Sequence, residues 1–310
     1  MNRLRSWALA ATLATFFLIF VGGLVRVSGA GLGCPDWPKC FDRWIPPTSV
    51  EQLPPHIDPS TFNVTLAWIE YINRLIGVTI GLLILITAIL AIRHARRHPR
   101  ILYPALLSLA LVAFEGWQGG EVVGTKLAPF VVTVHMVIAF ILASVLIHLT
   151  LQVHWHLHPL APDARARAVS RWTWPLWIIA IVSVGMGTQI RSDIETLAAN
   201  NPNETLGALM NQVGWIKLGH PLIGGALLIA TWWVGLRIIW KSGIALPLVQ
   251  RSAWAFMILS AAQMFLGLAL VAADMPAALR VLHLWLSSFY VGALVVLQLS
   301  LRRLAEAHHG

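Results

Sequence analysis

Long apolar runs, separated by short polar breaks, dominate this chain. Eight of them, at roughly 7–27, 66–92, 101–124, 129–151, 172–191, 212–238, 250–272 and 277–300, are each long enough to cross ~30 Å of hydrocarbon. In lipid a segment must satisfy its own backbone hydrogen bonds, so the pattern predicts an all-α integral membrane protein of eight helices. The strand-length alternation of an outer-membrane barrel is absent. The breaks on one side are unequal. The segment 28–65 is long and rich in Pro and Trp, 192–211 is moderate and polar, and 125–128 and 273–276 are only a few residues each. That rhythm predicts two tandem four-helix units, 1–156 and 157–310, related by a pseudo-twofold axis along the membrane normal. The stretch Trp68-Ile69-Glu70-Tyr71-Ile72-Asn73-Arg74-Leu75-Ile76-Gly77 supports it. It lines up with Trp215-Ile216-Lys217-Leu218-Gly219-His220-Pro221-Leu222-Ile223-Gly224, with Asn73 falling on His220. Val134-His135 resembles Leu282-His283 in the same way.

Composition agrees. The chain is 57% hydrophobic and only 11% charged, which a soluble domain of 310 residues is not. The net charge of +9 reads as orientation rather than as nucleic-acid binding. With the N-terminus in the cytoplasm, that side collects Arg3, Arg5, Arg93, Arg96, Arg97, Arg100, Arg165, Arg167, Arg171, Arg237, Lys241, Arg251, Arg302 and Arg303, offset only by Asp163 and Glu306. This is the positive-inside pattern with both termini cytoplasmic. The first run has the length of a retained anchor, and Arg26 argues against cleavage near Gly29–Gly33. No Arg/Ser-rich transit segment precedes it, so a bacterial plasma membrane is expected over an organelle.

Candidate chemistry lies inside the spans. Asn73, His135, His220 and His283 each sit about six or seven residues into a run, and those four runs share one direction. Intramembrane coordinating side chains are functional by default. Neutral imidazole ligates haem iron, and bundle sites are built from side chains on facing helices. His220 and His283 are therefore expected to clasp one haem, and His135 to face Asn73 across a second pocket with a single imidazole. Glu70 lies three residues before Asn73, on the same helix face, where it suits proton transfer or an i,i+4 pair with Arg74. Arg26, Arg74, Lys217 and Arg280 lie near the outer ends and suit propionates or headgroups. The alternative to ligation is a set of interhelical hydrogen bonds, which three repeat-related histidines disfavour. His154, His156, His158 and the tail His308-His309 read as solvated junction and tail rather than metal sites.

The two cysteines, Cys34 and Cys40, fall in the 28–65 loop. On this topology they face an oxidising compartment, where a disulfide can persist. Zinc is disfavoured, since only His56 is near to help complete a four-ligand set.

The run Gly22-Gly23-Leu24-Val25-Arg26-Val27-Ser28-Gly29-Ala30-Gly31-Leu32, followed by Cys34-Pro35-Asp36-Trp37-Pro38-Lys39-Cys40, resembles the haem A synthase family. Glu70-Tyr71-x-x-Arg74, the Gln118 region, His135, His220 and His283 continue the resemblance over essentially the whole chain. It implies oxidation of a haem O methyl group to the formyl group of haem A for a terminal oxidase. It implies haem b held by the second-half pair, haem O as substrate in the first half, a catalytic role for the glutamate matching Glu70, and a Cys34–Cys40 disulfide. Partners would be a haem O synthase, terminal-oxidase assembly and a membrane electron donor left unassigned; a homo-oligomer is compatible, nucleic acid is not expected. Two positions depart from the family pattern. Its usual span-two histidine is Asn73 here, and its usual His-Arg in span six is His220-Pro221. Asn73 keeps two other classes open: a non-catalytic bis-histidine membrane cytochrome, and a haem carrier or oxidase-assembly factor.

Overall fold

Every apolar run resolves into helix in the computed structural model, which describes residues 1–306; His308 and His309 lie outside the described residues. The described residues hold nine α-helices: α1 (Asn2–Val27), α2 (Val64–Ala95), α3 (Pro99–Gly124), α4 (Pro129–Leu157), α5 (Arg165–Asn200), α6 (Leu206–Gln212), α7 (Ile216–Leu236), α8 (Pro247–Ala272) and α9 (Ala277–Glu306). All but the short α6 are long and apolar enough to cross a membrane, with α7 lengthened by a π turn over Arg237–Lys241. The chain is a multi-pass membrane protein.

Local chemistry sets the boundaries. Pro99, Pro129 and Pro247 open α3, α4 and α8, where a missing N–H is harmless and φ is already helical. Asn63 caps α2 by accepting from Leu66 N at 3.1 Å. Pro221 sits inside α7 directly after His220, and its missing N–H leaves the Lys217 carbonyl without its helical donor. The largest difference from the sequence expectation lies between α5 and α7. α5 runs on to Asn200 and α6 follows, so most of the expected 192–211 loop is helical; α7 then starts at Ile216 rather than near 212. The polar residues that read as loop are instead the outer turns of α5.

α1, α2, α3 and α4 pack in succession, and α4 returns onto α1; α5, α7, α8 and α9 do likewise, with α9 returning onto α5. α1 and α4 meet α5 and α9 at the seam. There Phe16 stacks on Phe289 with ring centroids 5.2 Å apart, and Trp285 Nε1 donates to the Phe16 carbonyl at 3.2 Å. A single apolar core joins Phe16, Phe140 and Ile147 to Phe256, Tyr290 and Leu294 across that seam. The connection from α4 to α5 is tied to the end of α9, where Asp163 N donates to Leu304 O at 3.0 Å. Arg165 grips the Asp163 carboxylate with two hydrogen bonds, which hold it below the usual carboxylate range.

The 28–65 segment is anchored on α2 and α3. Cys34 and Cys40 are disulfide-bonded and fully buried. Gly33 passes so close to α2 that an added Cβ would overlap the Leu66 carbonyl, and Trp37 lies against Gly120 of α3. Gly33→Ala is expected to lift the loop off α2 at a cost of about 1–3 kcal/mol, as overpacking does. Limited proteolysis between residues 34 and 62 measures it; unchanged resistance would show that the close approach does not hold the loop.

Candidate haem-binding site

His220, the fifth residue of α7, and His283, the seventh of α9, are brought together. Their ring centroids lie 6.4 Å apart with the planes at 77°. Two imidazoles on opposite faces of one metal need ring centres roughly 6.2 Å apart, from two ~2.0 Å metal–nitrogen bonds plus about 1.1 Å from each nitrogen to its ring centre. The spacing therefore fits a bis-histidine haem. Small residues make room for the rings. A Cβ on Gly187 of α5 would stand 2.9 Å from His220 Cε1, and one on Gly267 of α8 would stand 3.2 Å from His283 Cε1. Ser183 Oγ lies 3.4 Å from His220 Nδ1, while Gln263 Nε2 lies 3.1 Å from His283 Nε2. His283 Nδ1 and Gln263 Oε1 are buried without a partner. Buried polar atoms rarely stay unpaired, so these vacant valences fit a site built to hold a ligand.

An arginine cluster stands one turn above His283. Glu195 of α5 accepts from Arg26 Nε at 2.6 Å, Arg191 Nε at 2.9 Å and Arg280 Nη1 at 3.3 Å. Three guanidiniums share one carboxylate, and Arg191 Nη2 and Arg280 Nε are buried with no partner. The surplus positive charge suits carboxylates such as haem propionates. Of the basic residues expected near the outer ends, Arg26 and Arg280 join this cluster. Lys217 instead donates to Asn211 Oδ1 at 2.8 Å, and Arg74 faces the disulfide loop.

Glu70 and Arg74 form the i,i+4 pair that their spacing allows. Glu70 is buried, and Cys34 N donates to its Oε2 at 2.8 Å while Arg74 Nη2 donates to Oε1. Arg74 Nη1 also donates to the carbonyls of Asp36 at 2.9 Å and Lys39 at 2.7 Å. The pair thus pins the disulfide ring onto α2. One turn on, Asn73 Oδ1 is buried without a partner.

His135, on α4, has 32% of its side chain uncovered, and its Nδ1 stands 3.0 Å from Glu115 Oε2 of α3. Gln118, one turn beyond Glu115, is buried and fastens α3 to α4 through Nε2 and the Val131 carbonyl at 3.3 Å. Glu115, Arg191, Glu195, Ser183 and Gln263 were not singled out from the sequence. Glu115 carried a signal that was available: a carboxylate in the middle of an apolar run. Ser183 and Gln263 carried none, since a hydroxyl or amide in a span usually serves helix packing. Among the described residues no group of three or more His, Cys, Asp or Glu is arranged to hold a bare metal ion. Two imidazoles alone do not complete a metal's coordination shell, whereas a porphyrin would supply the remaining donors.

Residues 5–296 match the family model described as cytochrome oxidase assembly protein, COX15-CtaA. The chain belongs to the COX15-CtaA family. Among its relatives is a protein named heme A synthase from Shewanella oneidensis strain MR-1, 35% identical over 47% of this chain and 45% of the relative. A heme A synthase from Geobacillus kaustophilus is 30% identical over 48% of this chain and 43% of the relative. Thus the chain spans less than half the length of these two relatives in the matched stretch. A third heme A synthase, from Sinorhizobium fredii, is 25% identical over 96% of this chain and 87% of the relative. COX15-CtaA membership and the helical, disulfide-bonded architecture agree with the resemblance drawn from the Gly22–Cys40 motif.

Proposed function

We propose that this chain is a haem A synthase, an oxidoreductase of the bacterial plasma membrane that converts the haem O methyl group to the formyl of haem A for a terminal oxidase. The observation that carries the reading is the His220–His283 pair at 6.4 Å, set in a COX15-CtaA chain with relatives of that name, one of them matched over 96% of this chain. The first half, 1–156, takes haem O as substrate, and the second, 157–310, holds haem b. Support for two related halves comes from the Trp68–Gly77 and Trp215–Gly224 alignment and from the two rings of successive helix contacts. Both termini are cytoplasmic, by the distribution of Lys and Arg.

Haem b, if bound, would be held by His220 and His283 and would supply one-electron transfer. His220 and His283 hold and orient that group. Ser183 and Gln263 fix the imidazole rings, as outer partners of metal-binding histidines do. Arg26, Arg191 and Arg280 bind the propionates and are kept in place by Glu195. In the first half His135 presents one imidazole to the substrate, and Asn73 leaves the opposite side without a second strong ligand. Glu70 handles protons beside this pocket and closes the loop over it. A haem O synthase supplies the substrate, and terminal-oxidase assembly takes the product.

A second reading rests on Asn73. With one imidazole in the first half, the chain is a bis-histidine electron carrier or a haem-delivering assembly factor. Co-expression with a haem O synthase in a host lacking haem A separates the two. Haem A, or its hydroxylated precursor, among the extracted haems is the expected outcome. Only haems B and O, from folded protein with a bis-histidine spectrum, would overturn the enzyme.

A further inference from the structure

The pairing of His135 with an intramembrane carboxyl group is the one polar contact around the first-half pocket that the proposed function leaves unexplained. Glu115 Oε2 stands 3.0 Å from His135 Nδ1 but off the hydrogen-bond direction, so Nδ1 is buried without a hydrogen bond, as is Glu115 Oε1. A buried imidazole nitrogen with no partner and a carboxyl oxygen 3.0 Å from it are a small ring rotation away from a hydrogen bond. The neighbourhood is fastened: Gln118, one turn along α3, is tied to the Val131 carbonyl of α4, which lies one turn before His135. The Glu115 side chain is only 12% uncovered and the imidazole 32%, so the ring is the more open of the two.

From this geometry we infer that Glu115 is the positioning residue of the first-half haem ligand: its carboxyl oxygen accepts the His135 Nδ1–H and so presents Nε2 to the iron. The inference rests on the proposed ligation of a first-half haem by His135. A hydrogen bond at one imidazole nitrogen fixes the tautomer and ring orientation and makes the other nitrogen a stronger donor. The second-half ligands lack such a partner: His220 has a serine hydroxyl at 3.4 Å and His283 an amide at 3.1 Å. The stronger outer partner therefore stands in the half that has lost its second imidazole to Asn73. A single axial histidine must carry orientation and donor strength alone, and Glu115 supplies both.

The test uses the full chain, purified in detergent after co-expression with a haem O synthase. The bis-histidine haem serves as the internal folding control. In the ferrous protein, the iron–imidazole stretching band of the first-half haem is read by resonance Raman, and retention of that haem is read by its transfer to apomyoglobin. Glu115→Gln is expected to move the band to lower frequency and to weaken first-half haem binding by about 10–100-fold, the usual effect of losing an outer-shell partner, while the bis-histidine signal stays. Glu115→Asp, which keeps a carboxyl group one methylene shorter, is expected to fall between and serves where E115Q does not accumulate. A first-half band present in wild type and unmoved in both variants overturns the Glu115 assignment alone. A wild-type protein whose only haem is the bis-histidine one, with no first-half band to lose in His135→Ala, overturns the ligand reading and this inference with it.

Discussion

Replacing either His220 or His283 with alanine is expected to abolish the low-spin bis-histidine spectrum and reduce haem A formation to background. The two rings stand at the separation that one six-coordinate iron requires. His220→Ala leaves His283 beside Gln263, whose amide cannot replace an imidazole as a haem ligand. The fold should survive, since the core of the second half is carried by Phe256, Tyr290 and Leu294 rather than by these side chains. Absorption and electron paramagnetic resonance spectra of the purified variants decide it. A six-coordinate low-spin haem persisting in either single variant would show that the pair at 6.4 Å is packing rather than ligation. Added imidazole offers a further check. It should restore the low-spin spectrum in His220→Ala, where Gly187 leaves space beside the vacated ring position, without needing any change in the fold.

Much of this was legible in the sequence because membranes impose simple rules. Apolar length alone located all eight candidate spans, and the alignment of Asn73 with His220 singled out the candidate ligand positions. The pairing of His220 with His283 followed from equal depth on helices of one direction. The extent of α5 was not legible. Asp193 and Glu195 look like loop to a hydropathy window, but in the fold Asp193 accepts from Gln189, and Glu195 accepts from Arg191, Arg26 and Arg280, so the helix continues through them. Cross-helix partners are the general blind spot. The spacing of Glu70 and Arg74 predicted their contact because both lie on one helix, whereas Glu115 and His135 sit on different helices and no periodicity joins them. The grip of Glu70 on the Cys34 amide was hidden for the same reason: it depends on where a 28–65 loop folds back.

That grip sets the second large effect. Glu70→Ala is expected to destabilise the protein by about 3–5 kcal/mol, the usual result of removing one partner of a buried ion pair. Arg74 would be left with the Asp36 and Lys39 carbonyls but no counter-charge, and Cys34 N would lose its acceptor. The disulfide ring, no longer pinned to α2, should become open to reductant, so the Cys34–Cys40 bond is expected to be reduced faster in the variant than in wild type. Thiol labelling after brief exposure to a membrane-impermeant reductant measures this, and equal labelling of the two proteins would remove the anchoring role. Glu70→Gln separates anchoring from proton handling. The amide oxygen still accepts from Cys34 N or from Arg74, and the shape is kept, so most of the loop's protection should remain. A group that moves protons cannot be replaced by an amide. Haem A formation that falls in Glu70→Gln as far as in Glu70→Ala, with the loop still protected, would place Glu70 in the chemistry. Formation that tracks loop protection across both variants would place it in the architecture alone, with the disulfide loop as the part that the first-half pocket depends on.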